Sequence, residues 1–481
     1  MTQYKKNKKT DFKNSFTHKD SNAGTAERLI TSYGHNIRFC KQLAEKGWMV
    51  WDGKVWKEDS AAVWQYAKNT ARDMFEEAQN LPDDEDENNY NSTLKKVLIK
   101  QCKKMLSTTT ITQVLRQVSE DPRIVVDASV FDAQHHLFNT ENGTFDTRTW
   151  EHREHRREDM LTKIAPVTYD ENAVAERFNS FVEEMLPNEN VRLYLQKAIG
   201  QALTGEIPEQ AFYVNLGTGN NGKSTLFDTM LKLFGPYGGI IDLEALMERR
   251  QGQNAAPDLA HLKGKRLVVG SEIEDGFRLK SALVKKITGD EYISARDLFK
   301  TKMVFQRTHK LFMHVNYRPN IGDMGHAMWR RVRLIDWTEQ PETVDKQLLR
   351  KLEQELPGIL NWALDGLRMY QLEGLESPQE VVEATAGYKK DMDTIGQFIE
   401  DRCEEGPEHF TTKDYLYREY AQWCADDNMN PYSKRRFGEQ MISRGFDPHQ
   451  KEDKIRVWRG IGVVERELDY DKVTETTYKR G

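Results

Sequence analysis

Cysteine is scarce in this sequence, and a long apolar run is missing from it. The four cysteines, Cys40, Cys102, Cys403 and Cys424, form no CxxC pair. That spacing argues against a zinc site or a disulfide framework and fits a reducing cytoplasm. No run approaches about 18 apolar residues, so no membrane-spanning helix is expected. The basic N-terminus has no apolar segment behind it and is therefore not a secretory signal.

An excess of one sign of charge is also missing. The chain has 70 Lys or Arg against 76 Asp or Glu, a net charge of −6. This balance excludes a uniformly basic nucleic-acid binder but leaves a local basic surface open. Apolar residues make up 38% of the 481 residues, which is enough to fill several cores. At roughly 100–200 residues per domain, this length predicts about three domains.

The composition and the pattern of apolar residues change along the chain and predict five segments. They are a basic flexible tail (1–25), an N-terminal α+β domain (26–180), an α/β domain (181–375), a winged-helix-like domain (376–465) and a polar tail (466–481).

Two turn signals mark hairpins in the N-terminal domain. Aromatic strands surround Asp52-Gly53 within Trp48–Trp56, and a second pair surrounds Asn142-Gly143. Apolar residues at helical spacing predict a helix over Ala61–Gln79. The acidic run Asp83–Glu87 is interpreted as a solvated loop rather than a metal site, because nothing fixes its carboxylates in a shell.

Strand-like apolar runs alternate with helical patterns between 181 and 375. The clearest strands are Phe212–Leu216, Leu267–Val269 and Leu311–Val315. Strands separated by helices predict a parallel sheet with helices on both faces.

A phosphate-binding loop follows the first of these strands. Nine residues fit GxxxxGK[ST] and its continuation: Gly217, Thr218, Gly219, Asn220, Asn221, Gly222, Lys223, Ser224 and Thr225. Glycines let successive N–H groups point at phosphate oxygens, and the helix N-terminus adds partial positive charge. Lys223 is expected on the β- and γ-phosphates and Ser224 on Mg²⁺. The motif predicts binding of a nucleoside triphosphate, with ATP and Mg²⁺ as cofactors.

Polar residues end the other two strands. Glu272 ends the apolar run that contains the strand Leu267–Val269. A Glu without a partner at the end of a buried strand is costly, so this residue predicts a cation close by. Asn316 follows Val315, where it can hydrogen-bond a γ-phosphate or the attacking water. Further along the chain, Arg330 and Arg331 are either charged surface residues or arginine fingers that reach the nucleotide of a neighbouring subunit.

Together these motifs resemble a superfamily three helicase. Such helicases are hexameric AAA+ motors of viruses, phages and plasmids. The sequence is most similar to the phage and plasmid primase-helicase C-terminal family, which includes the poxvirus primase-helicase. Tyr194–Gly200 resembles that family's lead-in to the Walker A strand, and Trp458–Gly462 its C-terminal domain.

The resemblance implies a role for each matching residue. Lys223 and Ser224 would serve nucleotide and metal, Glu272 would be the Walker B acid that also binds the metal, and Asn316 would be sensor one. An arginine finger is implied at Arg331, with Arg330 as the alternative. The sequence departs from the family pattern in two respects. Ile273 separates Glu272 from Glu274, and the family's Thr-Gly-Gly-Asp appears as Thr288-Gly289-Asp290 with one glycine.

Two basic segments are candidates for DNA contacts. In related motors a hairpin enters the central channel, and Tyr292–Arg296 with Met303–Phe305 predicts its strands. The predicted contacts there are Arg296, Phe299, Lys300 and Lys302, since lysines neutralise phosphates and an aromatic residue stacks on a base. In the C-terminal domain, Ser433 is predicted to cap a helix that presents Lys434, Arg435 and Arg436 to DNA.

Two functions fit these features. The first is an ATP-driven homohexameric helicase that acts on single-stranded and forked DNA in replication of a phage, plasmid or other mobile element. The second is an origin-binding initiator whose ATPase switches assembly. About 180 residues precede the motor, and Ile124–Ser129 contains only one aspartate. A complete primase domain is therefore not expected, and a separate primase or replication protein is a possible partner.

Overall fold

The computed structural model describes residues 21–42, 47–82, 90–248, 259–271, 277–296, 302–427, 429–450 and 456–464. Within these ranges, no helix has both the length and the apolarity needed to cross a bilayer.

The N-terminal region combines helices with two small antiparallel sheets. Its helices are α1 (Asn22–Tyr33), α2 (Ser60–Gln79), α3 (Tyr90–Lys104) and α4 (Thr108–Val118). Its strands are β1 (Ile37–Phe39), β2 (Trp48–Trp51), β3 (Trp56–Glu58), β4 (Leu137–Thr140), β5 (Gly143–Asp146) and β6 (Glu151–Arg153). The sheet orders are β1-β2-β3 and β4-β5-β6. Both predicted hairpins and the α+β character are confirmed, whereas α1 begins inside the segment predicted as a tail.

The central region is built on a five-stranded parallel sheet. Its strands, with one separate hairpin, are β7 (Phe212–Leu216), β8 (Gly238–Asp242), β9 (Leu267–Ser271), β10 (Tyr292–Arg296), β11 (Lys302–Gln306), β12 (Lys310–Val315) and β13 (Val332–Asp336). The order is β13-β7-β12-β9-β8, and every neighbouring pair in it is parallel. The predicted parallel sheet is therefore confirmed.

Helices cover both faces of this sheet. They are α5 (Glu176–Met185), α6 (Glu189–Gln201), α7 (Lys223–Phe234), α8 (Ser281–Gly289), α9 (His326–Trp329), α10 (Leu348–Gln354), α11 (Leu356–Glu373) and α12 (Gln379–Met392). Consecutive residues of β7, β9 and β12 are buried, because side chains on both faces of the sheet meet a helical layer.

The small sheet β4-β5-β6 shares a core with the central region. The ring of Phe138 on β4 lies 5.9 Å from that of Phe234 and 5.1 Å from that of Tyr237. Phe145 and Val167 belong to the same buried cluster. The small sheet β4-β5-β6 is therefore packed onto the α/β core, while α1, α2 and α4 share a separate core with the first small sheet.

The C-terminal region is a compact unit of three helices and three antiparallel strands. Its elements are α13 (Thr394–Arg402), β14 (Cys403–Thr412), α14 (Lys413–Asp426), α15 (Lys434–Ser443), β15 (Asp447–Gln450) and β16 (Arg456–Val463), with the sheet order β14-β16-β15. The Oγ of Ser433 accepts a hydrogen bond from the N–H of Arg436, so the predicted cap and helix are confirmed.

Candidate nucleotide-binding site

The loop after β7 has the backbone shape that an anion requires. Gly219, Asn220 and Gly222 have φ of +102°, +55° and +75°, and α7 begins directly afterwards at Lys223. A Cβ added at Gly222 would meet the ring of Phe181 at 2.7 Å, so this position needs glycine for space as well as conformation. Successive N–H groups in such a turn, followed by a helix N-terminus, form a concave anion site.

Lys223 is held inside the loop rather than extended into solvent. Its Nζ donates to the backbone oxygen of Gly217 at 2.9 Å and to Oδ1 of Asn221 at 3.0 Å. Burial lowers the pKa of this ammonium below its ordinary value. The amine therefore lies within the loop with weak oxygen partners that a phosphate can replace.

Asn221 fixes the loop to the neighbouring strand exit. Its Oδ1 accepts from the N–H of Gly219 at 2.8 Å, and its Nδ2 donates to the backbone oxygens of Trp337 and Glu339, both at 3.1 Å. The side chain is 2% exposed. Its position makes Asn221 a buried brace for the loop, a role that the motif alone does not indicate.

The loop opens into a cleft of about 710 Å³ at the carboxyl edge of the sheet. Ser224 lies exposed in this cleft on the first turn of α7, and Asn316 lies exposed in it just beyond β12. Two predicted site residues, one from the start of α7 and one from the end of β12, are therefore brought to the same cavity as Lys223. An exposed hydroxyl beside the loop fits a Mg²⁺ ligand, because this cation takes oxygen donors and keeps several waters.

His314 is a cleft residue that the sequence analysis did not select. Its ring stacks on Phe227 of α7 with centroids 5.7 Å apart and an interplanar angle of 8°. Burial, with the charge of Lys223 nearby, lowers the pKa of His314 to about 4. The ring is therefore neutral near pH 7 and adds no charge to the phosphate site.

Three further cleft residues, Glu244, Met247 and Phe277, were also missed. His314 could have been found, because it lies two residues before Asn316 on a predicted strand and alternation places the two side chains on the same face. The other three follow no motif and reach the cleft only through the folding of the chain after β8 and before α8.

Glu272 and Glu274 lie outside the described residues, as does the acidic run Asp83–Glu87. The strand that leads to Glu272 is described as far as Ser271, which pairs with His314 in the parallel register.

Arg330 and Arg331 lie at the opposite edge of the sheet from the phosphate loop. The N–H of Phe212, the first residue of β7, donates to the backbone oxygen of Arg331 at 2.8 Å. Arg331 is 8% exposed, and its Nη2 donates to Oε1 of Gln210 at 2.9 Å. Arg330 is exposed and contacts the same oxygen at 3.2 Å. Neither guanidinium approaches the loop of its own chain.

The predicted DNA-binding hairpin is present as two antiparallel strands. Arg296 at the end of β10 pairs with Lys302 at the start of β11. Phe299 and Lys300 lie outside the described residues. The strands are thus confirmed, and the contacts at the tip stay predictions.

The three basic residues of α15 have different environments. Lys434 and Arg435 are exposed and form ion pairs with Asp414 at 2.6 Å and with Glu439 at 2.9 Å. Arg436 instead donates to the backbone oxygen of Gly322 in the central region. Arg436 therefore joins two regions of the chain in this structure, and a DNA-facing surface on α15 is left to the other two residues.

Three families match successive parts of the chain. Residues 26–187 match the family described as D5 N terminal like, and residues 216–331 match the Family of unknown function (DUF5906). Residues 390–455 match the family described as Poxvirus D5 protein-like. The order of the matches is the order of the three structural regions.

Curated relatives come from large DNA viruses. A protein of Acanthamoeba polyphaga mimivirus that is named as a helicase is 26% identical over 69% of this chain and 36% of its own length. A protein of Frog virus 3 that is named as a helicase is 25% identical over 59% of this chain and 31% of its own length. An African swine fever virus protein that is named as a primase is 22% identical over 70% of this chain and 38% of its own length. The chain thus spans about a third of these relatives' length.

A solved structure, described as the apo form of the C-terminal region of NrS-1, is 11% identical in sequence. The similarity covers 74% of this chain and 89% of that one, with a TM-score of 0.45.

Proposed function

Because the chain belongs to the D5-like primase-helicase family, we propose that it is an ATP-dependent DNA helicase in the replication of a phage, plasmid or other mobile element. The observation that carries this proposal is the phosphate loop, in which Lys223 is buried against Gly217 and Asn221 at the mouth of a large cleft.

The described residues suit the phosphate end of ATP. Lys223 would exchange its two oxygen partners for β- and γ-phosphate oxygens, and the loop N–H groups would hold the same phosphates. Asn316 would position the attacking water or the γ-phosphate from the adjacent strand. Mg²⁺, bound with the nucleotide and held by Ser224 and Glu272, would neutralise the charge that develops on the phosphates.

The proposal includes an AAA+ motor of superfamily three that acts as a homohexamer. Its support is the placement of Arg330 and Arg331 at the sheet edge remote from the loop of the same chain. From that edge an arginine can serve only the nucleotide of a second copy, so hydrolysis would require assembly. Arg331 is the finger in this proposal, and Arg330 is the alternative.

DNA would be gripped at two places. The hairpin β10-β11 would present Arg296, Phe299, Lys300 and Lys302 to single-stranded DNA. The C-terminal region would act as a winged helix, and its element order and sheet order β14-β16-β15 favour this description. Single-stranded or forked DNA is therefore the proposed substrate, with a separate primase or replication protein as a possible partner.

The test is strand displacement on a forked duplex with and without ATP. Lys223→Ala should lower ATP turnover roughly 100-fold or more and abolish unwinding, because it removes a charge from the transferring phosphate. The matched control is Lys232→Ala on the same helix, whose side chain pairs with Glu353 at the surface. Near-normal ATP turnover in Lys223→Ala would refute the motor.

An origin-binding initiator is the second candidate, and the exposed Lys434 and Arg435 on a Ser-capped helix favour it. An initiator would bind duplex origin DNA and hydrolyse ATP without displacing a strand. The same strand-displacement assay therefore separates the two functions.

A further inference from the structure

The N-terminal region contains a stretch in which every charged residue is basic. From residue 90 to residue 119 the sequence has no Asp or Glu, although the whole chain carries a net charge of −6. The basic residues of this stretch are Lys95, Lys96, Lys100, Lys103, Lys104 and Arg116. Five of the six lie on helix α3. The overall composition of the chain does not explain why so many basic residues lie on one helix.

The lysines of α3 share one face of the helix. Lys96, Lys100, Lys103 and Lys104 are exposed and line an open hollow of about 640 Å³. Like charges spaced four residues apart repel one another on a helix. Lys100, Lys103 and Lys104 form no ion pair with any residue in the described ranges. The partial negative charge at the C-terminus of α3 offsets only part of the repulsion, at Lys103 and Lys104 in the last turn. A bound polyanion would offset the rest.

An apolar groove lies beside this face, between α2 and α3. Its volume is about 780 Å³, and Ile99, Cys102 and Met105 are among the residues that line it. Phe75 on α2 is 43% exposed at the groove, and Leu106 is 85% exposed. Large apolar side chains left in solvent beside a charged surface are typical of an interaction site.

Cations border this groove on both sides. Lys68 and Arg72 stand exposed on α2, and Lys103 stands on α3; one acidic residue, Glu76, also lines the groove, so cations are in the majority there. We call the groove, together with these cations and the α3 lysines, the α2–α3 groove. It offers ammonium and guanidinium groups next to an exposed aromatic ring. Single-stranded nucleic acid needs this combination, since its phosphates pair with cations and its unstacked bases pack on aromatic faces.

We propose that the α2–α3 groove binds single-stranded DNA, with phosphates on Lys100, Lys103 and Lys104 and a base against Phe75. Lys96 through Lys104 spans about 12 Å of helix, so the face extends past a single phosphate. The choice of DNA rests on the proposed helicase function, while the geometry of the groove stands on its own. This surface lies outside both segments that the sequence analysis assigned to DNA.

The test uses the full chain without nucleotide and a fluorescein-labelled oligothymidylate, followed by anisotropy over a range of NaCl concentrations. The variant Lys100→Ala/Lys103→Ala/Lys104→Ala should weaken binding. The slope of log K against log salt should become shallower by up to about 2, at about 0.7 for each phosphate that the variant no longer neutralises. The matched control removes three exposed cations of the central region, as Lys263→Ala/Lys346→Ala/Arg350→Ala. Equal affinity and slope in the two triple variants would overturn the proposal.

A second variant tests the aromatic contact separately from charge. Phe75→Ala should weaken binding roughly 5-fold or more with an unchanged salt slope, and Phe75→Trp should retain affinity, because stacking needs a ring and no charge. Phe75 is exposed, so its truncation leaves no cavity in a core. An affinity of Phe75→Ala equal to that of the wild type would remove the base from the proposed groove.

The outcome for the groove is separable from the outcome for the helicase. Oligonucleotide binding is measured without ATP, so a chain that fails to hydrolyse ATP can still show the predicted loss in the lysine variant. Conversely, strand displacement that depends on Lys223, together with wild-type DNA binding by the lysine variant, would keep the helicase and overturn the groove. The groove variants should leave DNA-independent ATP turnover unchanged, since these residues are absent from the nucleotide cleft.

Discussion

The buried ring of His309 makes the stability of the central region depend on pH. His309 precedes Lys310, the first residue of β12, and is 1% exposed. Neither ring nitrogen has a hydrogen-bond partner of normal geometry in the described part of the chain. Burial, reinforced by the charge of Arg307, lowers the pKa of His309 to about 3. The folded protein therefore keeps this ring neutral at pH 5 and above.

The sign and size of the effect follow from linkage. An unfolded chain protonates the same ring near pH 6.5, so below that pH the unfolded state binds more protons than the folded state. The contribution to stability is complete above about pH 6.5 and is lost as the pH falls towards 3. At 1.36 kcal/mol per pH unit, about 2 kcal/mol is lost between neutral pH and pH 5.

The measurement is urea unfolding, followed by tryptophan fluorescence, at neutral pH and at pH 5. His309→Leu replaces the ring by an apolar group of similar size, so it should lose about 2 kcal/mol less than the wild type over this interval. At neutral pH it should be as stable as the wild type or more stable, because two buried nitrogens without partners are removed. His326→Leu, at an exposed position on α9, is the matched control. Parallel pH profiles for the wild type and His309→Leu would refute the reasoning.

Two further predictions concern the nucleotide site. Asn221→Ala removes the hydrogen bonds from this side chain to Gly219, Lys223 and Trp337. Each bond contributes about 1 kcal/mol, so the affinity for a fluorescent ATP analogue should fall roughly tenfold or more. An affinity equal to that of the wild type would contradict the bracing role. Arg331→Ala should bind the analogue but hydrolyse little ATP. Mixing it with Lys223→Ala should restore some turnover, because an interface between the two variants can join an intact loop to an intact finger. Full activity of Arg331→Ala alone, with no rescue in mixed oligomers verified with labelled subunits, would remove Arg331 from the site.

Features that depend on neighbours in sequence could be predicted well. The strand Phe212–Leu216, the loop after it and the helix that stops at Gly235 were all expected from local apolar runs and glycine positions. The hairpins at Asp52-Gly53 and Asn142-Gly143 were expected for the same reason, because such dipeptides determine a tight turn without help from distant residues.

Features that depend on long-range packing could not be predicted. The partner of Asn221 is the backbone at Trp337, more than a hundred residues away. Arg436 fits the pattern of a basic DNA-facing helix, yet its guanidinium donates to Gly322 because the C-terminal region packs against the central one. A basic residue on a helix carries no local signal that separates these two environments. The α2–α3 groove could not be predicted for the same reason. Its cations come from two helices, and no local sequence pattern predicts how these helices pack.

The length of β7 determines what Arg331 can do. Its backbone is bonded to Phe212 at the start of the strand, and the phosphate loop begins at Gly217 after its end. At about 3.3 Å per residue, the two edges are roughly 16 Å apart, which exceeds the reach of one arginine side chain. If Arg331 acts on a nucleotide, the nucleotide belongs to another copy, and the contact joins two different surfaces of the chain. Such head-to-tail contacts close into a ring or continue as a filament. The ring of the proposed helicase is therefore a consequence of the finger, and rescue in mixed subunits would test both at once.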